Sequence, residues 1–254
     1  MSGEFNLDQY MMHHMLNGHE WNLPFLPPIQ LPSFLSLHGL MVIICALLMV
    51  LVFGVLYDKR NRVPRGLTNM LEVFILFIRD QIVKPYLGEE DGRKMTPLFC
   101  TFFFFILFMN LIGLIPIFAT ATSNINVTAG LAVITLCFMI FGCIYKNGVG
   151  GFFHALIPSG VPIPVLILIV PLEILGLIIK SFALTIRLFA NMLAGHIVII
   201  SLLGIIVLFG AGALPAILLA VLIYLLEVMV AFLQAYIFTL LSAMFIGQMY
   251  HPHH

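Results

Sequence analysis

Five ionisable side chains stand in stretches that are otherwise apolar: Glu173, Lys180, Arg187, His196 and Glu227. A charge at the centre of a bilayer costs about 2.5 to 3.5 kcal/mol on insertion scales, so residues of this kind mark pathways for ions or substrates. Glu173, Lys180 and Arg187 recur every seventh residue, and each step drifts by only about 20° around a helix. They form one polar stripe. Glu173 and Lys180 are open to two readings, a structural ion pair or snorkelling toward the inner interface. Arg187 lies deeper in its run, and its guanidinium stays protonated at any working pH. It cannot usefully shuttle protons, but it can hold a passing carboxyl group ionised and repel protons between two wet paths.

His196 follows Arg187 by two and a half helical turns and points to roughly the opposite face. Glu227 and Gln234, seven apart, share a face that can meet the preceding helix, so Glu227 is expected to pair with His196 or with Arg187. A carboxylate beside an imidazole offers two groups that can be tuned toward neutral pH, as a proton relay needs. Asn191 and Gln234 are neutral amides that could orient Arg187 without trapping it in an ion pair, although interhelical packing accounts for them equally well.

The elements that position these groups follow from composition. Hydrophobic residues make up 62% and charged residues 9% of the 254 residues, and the mean hydropathy is +1.14. In soluble domains about a quarter of residues are charged. A spanning helix needs about 20 apolar residues, and five stretches suit: 39–57, 98–118, 129–145, 165–208 and 215–249. As one helix, 165–208 would be about 66 Å long, roughly twice the hydrocarbon thickness. The last two helices are therefore expected to be long, strongly tilted and packed as a hairpin. Residues 67–84 mix Leu71, Phe74 and Ile82 with Glu72, Arg79 and Asp80, the pattern of an interfacial amphipathic helix. The fold class is an all-α integral membrane protein.

The formal net charge is zero, yet the basic residues are unevenly placed. Lys59, Arg60, Arg62 and Arg65 follow the first span, Arg79, Lys84, Arg93 and Lys94 precede the second, and Lys146 follows the third. The positive-inside rule puts those ends on the inner side, with the N-terminus outside and the C-terminus inside. Residues 1–38 read as an outer-side lead-in and 250–254 as a tail. Cys45, Cys100, Cys137 and Cys143 lack metal-ligand spacing and read as small hydrophobes. His13, His14, His19, His251, His253 and His254 read as solvated tail residues. No metal, cofactor or nucleic acid is expected, and no nucleotide-binding glycine loop is present.

Three motifs carry a resemblance: NLIGLIP at 110–116, PLEILGLIIKSFALTIRLFANMLAGH at 171–196, and LEVMVAFLQAYIFTLLSAMFIG at 226–247. Across residues 36–249 the sequence closely resembles subunit a of the F-type ATP synthase. The resemblance implies that Arg187 is the family's essential arginine, facing carboxylates of a rotating ring of c subunits, the c-ring. It implies that His196 and Glu227 occupy the paired half-channel positions, that Asn191 and Gln234 are the amides flanking the arginine, and that Glu173 and Lys180 are polar positions toward the inner side. It further implies a stator subunit of Fo, not catalytic alone, with the c-ring, subunit b and other ATP synthase subunits as partners in an energy-coupling lipid bilayer. That bilayer is the bacterial inner membrane, with the mitochondrial inner membrane as the alternative. One departure stands out: the loop ATATSNINVT at 119–128 offers no acid for an outer channel mouth. Two other classes, a secondary transporter and a passive structural subunit, fit less well. A transporter would show paired repeats around a midplane site, and a structural subunit has no use for Arg187, His196 and Glu227 at lipid depth.

Overall fold

Long apolar runs with few breakers have one way to satisfy their backbone in lipid, which is to close every hydrogen bond within the segment. Helices make up most of the computed structural model, which describes residues 20–21, 29–32, 36–56, 66–115, 118–157, 163–209 and 214–251. The basic cluster Lys59 to Arg65, most of the lead-in, and His13, His14, His19, His253 and His254 lie outside the described residues. Among the described residues, five helices are long and apolar enough to cross a membrane: Leu37–Val55, Leu67–Gly113, Ile125–Leu156, Val165–Ile206 and Pro215–Tyr250. The architecture is all-α, apart from a two-residue pairing of β1 (Glu20–Trp21) with β2 (Ile29–Gln30) in the lead-in.

Helix α1 (Leu37–Leu51) starts at Ser36, whose hydroxyl accepts from the Gly39 amide at 3.2 Å, and ends in a π-turn at Val52–Leu56. Such an N-cap satisfies one of the four amides that a helix start leaves without partners. Helix α2 (Leu67–Phe77) continues through a π-turn (Ile78–Val83) into α3 (Lys84–Gly113). Gly88, at φ 76° and ψ −178°, breaks that continuity. A side chain there would be strained in the left-handed region, so the glycine lets α2 depart from the direction of α3. The amphipathic segment and the spanning segment are thereby separate arms.

Helix α4 (Ile125–Cys137) is capped by Asn124, whose side chain accepts from the Asn126 amide at 2.9 Å. It leads through a π-turn (Phe138–Gly142) into α5 (Cys143–Leu156), itself broken at Gly148. Helices α6 (Ile163–Phe209) and α7 (Leu214–Tyr250) span 47 and 37 residues. Pro171 lies inside α6 without ending it.

The core forms where α3 and α7 pack together and where α4 packs on α6. Phenylalanines knit the first group: Phe53 of the α1 end meets Phe104 with centroids 4.9 Å apart, Phe74 stacks on Phe103 at 5.9 Å, and Phe102 meets Phe238 edge-on at 5.7 Å. Charged residues collect at the opposite end from the loop 119–124. Asp80 binds Arg79 at 2.9 Å and Lys84 at 3.2 Å, while Asp91 pairs with Lys146 and with His251, the latter at 3.3 Å. Such partly exposed pairs each contribute about 0 to 1 kcal/mol.

Helices α6 and α7 are lopsided. One side of each meets the bundle, while Ile167, Leu168, Phe182, Leu218, Leu225 and Met229 stay exposed on the other. In the apolar stretch of α2–α3 half the residues are buried inside the protein, but in those of α6 and α7 only 11% are.

Candidate functional site

Arg187 is half-buried on α6 and forms no ion pair or hydrogen bond among the described residues. Around it, Ala183, Ala190, Asn191 and Ala194 are exposed, at spacings of −4, +3, +4 and +7 that hold them to one face of the helix. Small side chains beside a membrane arginine let another helix approach closely. The guanidinium therefore sits at the edge of a shallow, unfilled face.

Beside it, the Asn191 amide donates to Gln234 Oε1 at 2.8 Å, tying α6 to α7 one turn beyond Arg187. Gln234 is 2% exposed, and its Nε2 finds no acceptor among the described residues. This bond commits the two amides to each other, and neither grips Arg187.

Glu227 lies on the inward side of α7, 7% exposed, and both carboxyl oxygens lack a hydrogen-bond partner among the described residues. The carboxylate packs against Gly195, on the side where a β-carbon would stand. An open cavity of about 360 Å³ runs beside it, lined by Asn191, Gly195, Val198, Ile223 and Glu227 among others. The pairing of Glu227 with His196 or Arg187 expected from spacing is not formed. Its neighbour is instead the residue preceding His196.

His196 turns to the loop before α4, where its Nε2 meets the Thr120 hydroxyl. Thr120 Oγ1 also donates to the Gly113 carbonyl at 3.2 Å. Close by, Thr122 Oγ1 donates to Asn110 Oδ1 at 2.9 Å, and Asn110 Nδ2 donates to the Ala231 carbonyl at 3.4 Å. Ala231 lies between Glu227 and Gln234 on α7. Asn110 and Thr122 are fully buried. A polar seam thus runs from the loop toward the centre of the α6–α7 hairpin, made of hydroxyls and an amide rather than acids. Sequence reasoning missed Thr120 and Thr122, because the loop was searched for a carboxylate and threonine is ordinary in apolar helices, where it bonds back to its own turn. Asn110 had a usable signal, a lone amide closing a run of phenylalanines.

Lys180 and Glu173 do not form a pair. Lys180 Nζ donates to Gln248 Oε1 at 3.1 Å and lies 5.4 Å from the centre of the Phe245 ring, near the end of α7. Glu173 is exposed. Among the described residues no group of three or more His, Cys, Asp or Glu is placed to hold a metal ion.

A family model described as ATP synthase A chain matches residues 39–247. The chain is 48% identical over 251 residues to ATP synthase subunit a of Chloroherpeton thalassium, an alignment covering 93% of this chain and 75% of that one. It is 48% identical over 210 residues to ATP synthase subunit a of Anaeromyxobacter dehalogenans strain 2CP-C, covering 80% of this chain and 54% of the relative. It is 40% identical over 261 residues to ATP synthase subunit a of Chlorobium phaeobacteroides, covering 96% and 77%. The chain thus spans three quarters of the first relative's length and about half of the second's.

Proposed function

We propose, since this chain belongs to the ATP synthase A chain family, that it is the proton-conducting stator subunit of the Fo sector of an F-type ATP synthase. It provides two aqueous half channels, with Arg187 as the fixed charge between them. The partners are a c-ring, which presents a carboxylate on each helical hairpin, subunit b, and other subunits of the complex, which houses the ATP chemistry. The setting is a bacterial inner membrane, with the N-terminus outside and the C-terminus inside.

The observation that carries this reading is Arg187 itself. It is a permanent cation within a long apolar helix, with no carboxylate paired to it among the described residues, on a helix face lined by alanines and flanked by exposed apolar surface. A cation so placed calls for a carboxylate from outside the chain. A ring carboxylate that reaches it is held ionised, gives up its proton, and cannot pass protonated from one path to the other.

His196 and Glu227 belong to one path. They are not bonded to each other, but Glu227 lies across Gly195, immediately before His196, and the cavity beside Asn191 and Gly195 leads toward the face that carries Arg187. A proton held at His196 transfers through water to the Glu227 carboxyl and from there to a ring carboxylate. Lys180, Glu173 and Gln248, nearer the other end of the hairpin, flank the second path. Each proton crossing 100 mV releases about 2.3 kcal/mol, so several must be combined for each ATP.

Arg187→Ala in the assembled complex tests the reading. ATP-driven proton pumping by reconstituted vesicles is expected to vanish while the subunits still co-purify. Coupled pumping at the normal rate in that variant would remove the gate.

A further inference from the structure

The charged end of the bundle holds an open cavity that the proposed proton path does not use. It measures about 570 Å³ and lies where α3, the π-turn Phe138–Gly142, α5 and the end of α7 come together. Met95, Cys137, Phe138 and Phe141 give it an apolar floor, and Lys94, Tyr145 and Lys146 line it as well. The groove has a local cause. Gly142 presents no side chain, and the Tyr250 hydroxyl lies over it, where a β-carbon would stand. Phe141 and Tyr145 are 66% and 94% exposed, so the cavity opens on whatever surrounds the bundle.

Both lysines mark one boundary. Lys94 is the last charged residue of α3 before the uncharged run 95–113, and Lys146 is the first after the uncharged run 125–145. Asp91 of α3 pairs with Lys146 of α5, which sets the two boundaries at one level. Apolar surface lies on one side of that level and ammonium groups on the other, the order in which a phospholipid arranges its acyl chains and its phosphate. Tyr145 adds a phenol there, as aromatics at a membrane interface do. The charges favour an anion. An ammonium has three donors. Lys94 directs one to Glu90 at 2.9 Å, in a pair whose side chains are 68% and 86% exposed, too wet to hold it tightly. Lys146 is held by Asp91 and lies 3.1 Å from His251 Nε2 and 5.2 Å from the centre of the Tyr250 ring. Donors remain on both ammonium groups. Asp91, by contrast, already engages Lys146 and lies 3.3 Å from His251. The ammonium of a zwitterionic headgroup would have to compete with Lys146 for it.

We propose that this cavity is a binding site for an anionic phospholipid, whose phosphate accepts from Lys94 and Lys146 while one acyl chain lies along Phe138 and Phe141. Basic pockets between membrane helices suit such headgroups. The lipid ties α3 to α5 just before α5 breaks at Gly148. The site shares no residue with the path through His196, Glu227 and Arg187, and it does not rest on proton conduction.

The test uses the whole complex in vesicles doped with phosphatidylglycerol that carries a photoactivatable diazirine near the end of one acyl chain. Phosphatidylcholine bearing the same chain is the comparison. Labelled peptides are quantified by mass spectrometry, and the segment with Phe138 and Phe141 is normalised to the α1 segment with Leu47, which is 63% exposed and reports ordinary lipid contact. Phosphatidylglycerol is expected to label the cavity segment about tenfold more than phosphatidylcholine, the scale for two basic residues at an anionic surface. Lys94→Gln, at an exposed position that leaves the Asp91 pair intact, should cut that excess severalfold, and Lys94→Arg, which keeps the charge, should preserve it. Adding Lys146→Gln to Lys94→Gln should remove it; where that double variant does not assemble, the parent and Lys94→Gln decide. Equal labelling by the two lipids overturns the proposal in favour of unselective lipid contact. An absence of label shows the cavity covered by another subunit and overturns it too, as does an excess untouched by Lys94→Gln. Loss of the excess on adding inorganic phosphate assigns the lysines to a free anion and overturns the lipid site. Arg187→Ala should label as the parent does, so failure of the gate and failure of this site are read separately.

Discussion

The Glu227 carboxylate rests against the α-carbon of Gly195, in the space that any larger residue would fill with its side chain. The contact fixes how closely α6 and α7 approach at the depth where the proposed relay must operate. It also brings the acid beside the residue adjoining His196 without letting the two titratable groups pair and trap each other.

Gly195→Ala is therefore expected to act through Glu227. Overpacking a close contact costs about 1 to 3 kcal/mol where neighbours cannot move, and here the neighbour that yields is the carboxylate. The substituted complex should assemble, with its proton flux reduced to the level of Glu227→Gln. Adding Glu227→Asp, one methylene shorter, to Gly195→Ala should recover part of the flux by restoring room. If Gly195→Ala conducts at the parent rate, the contact has no bearing on proton transfer.

The bond between Asn191 and Gln234 is expected to behave differently. Interhelical hydrogen bonds in membranes contribute about 0.6 kcal/mol on average, so Gln234→Leu should barely alter thermal stability of the purified complex. It should, however, release the Asn191 amide one turn from Arg187 and give it a new partner in the guanidinium. The expected signature is slower ATP-driven pumping at unchanged subunit content. Equal pumping rates for the Gln234→Leu and parent complexes would show the bond to be packing alone.

The fold class was readable because burial in lipid imposes one rule on every segment: apolar length sufficient to span, and a helix to satisfy the backbone. The run through Pro171 could be recognised as too long to stand upright, and it does continue as one helix. The stripe Glu173, Lys180 and Arg187 was visible as period seven. What the stripe binds was not visible, because Lys180 takes Gln248 and Phe245 from another helix, and that choice depends on the register between α6 and α7. The same register sends Glu227 to Gly195 rather than to His196. Polar groups of low cost were hardest to read. Thr120 and Thr122 carry no charge penalty that makes them conspicuous in the sequence, and their significance arises only where the fold brings them to Asn110 and His196.

The contact between Thr120 and His196 separates two ways in which the histidine could be held. Nε2 of His196 meets a hydroxyl that also donates to the Gly113 carbonyl, so the hydroxyl proton is already engaged. In that arrangement the histidine is the donor from Nε2 to the Thr120 hydroxyl. Thr120→Val keeps the volume and removes the hydroxyl. The imidazole then loses the acceptor that fixes its tautomer, and the Gly113 carbonyl loses its donor, a combined cost of about 1 to 3 kcal/mol per orphaned group. Proton flux through the variant is expected to drop, whereas Thr120→Ser, which keeps the hydroxyl, should stay near the parent rate. The two variants are compared by potential-driven flux in the same vesicles. Equal loss in Thr120→Ser and Thr120→Val would assign the effect to the methyl group and its packing, and equal retention would show that His196 needs no anchor at this position.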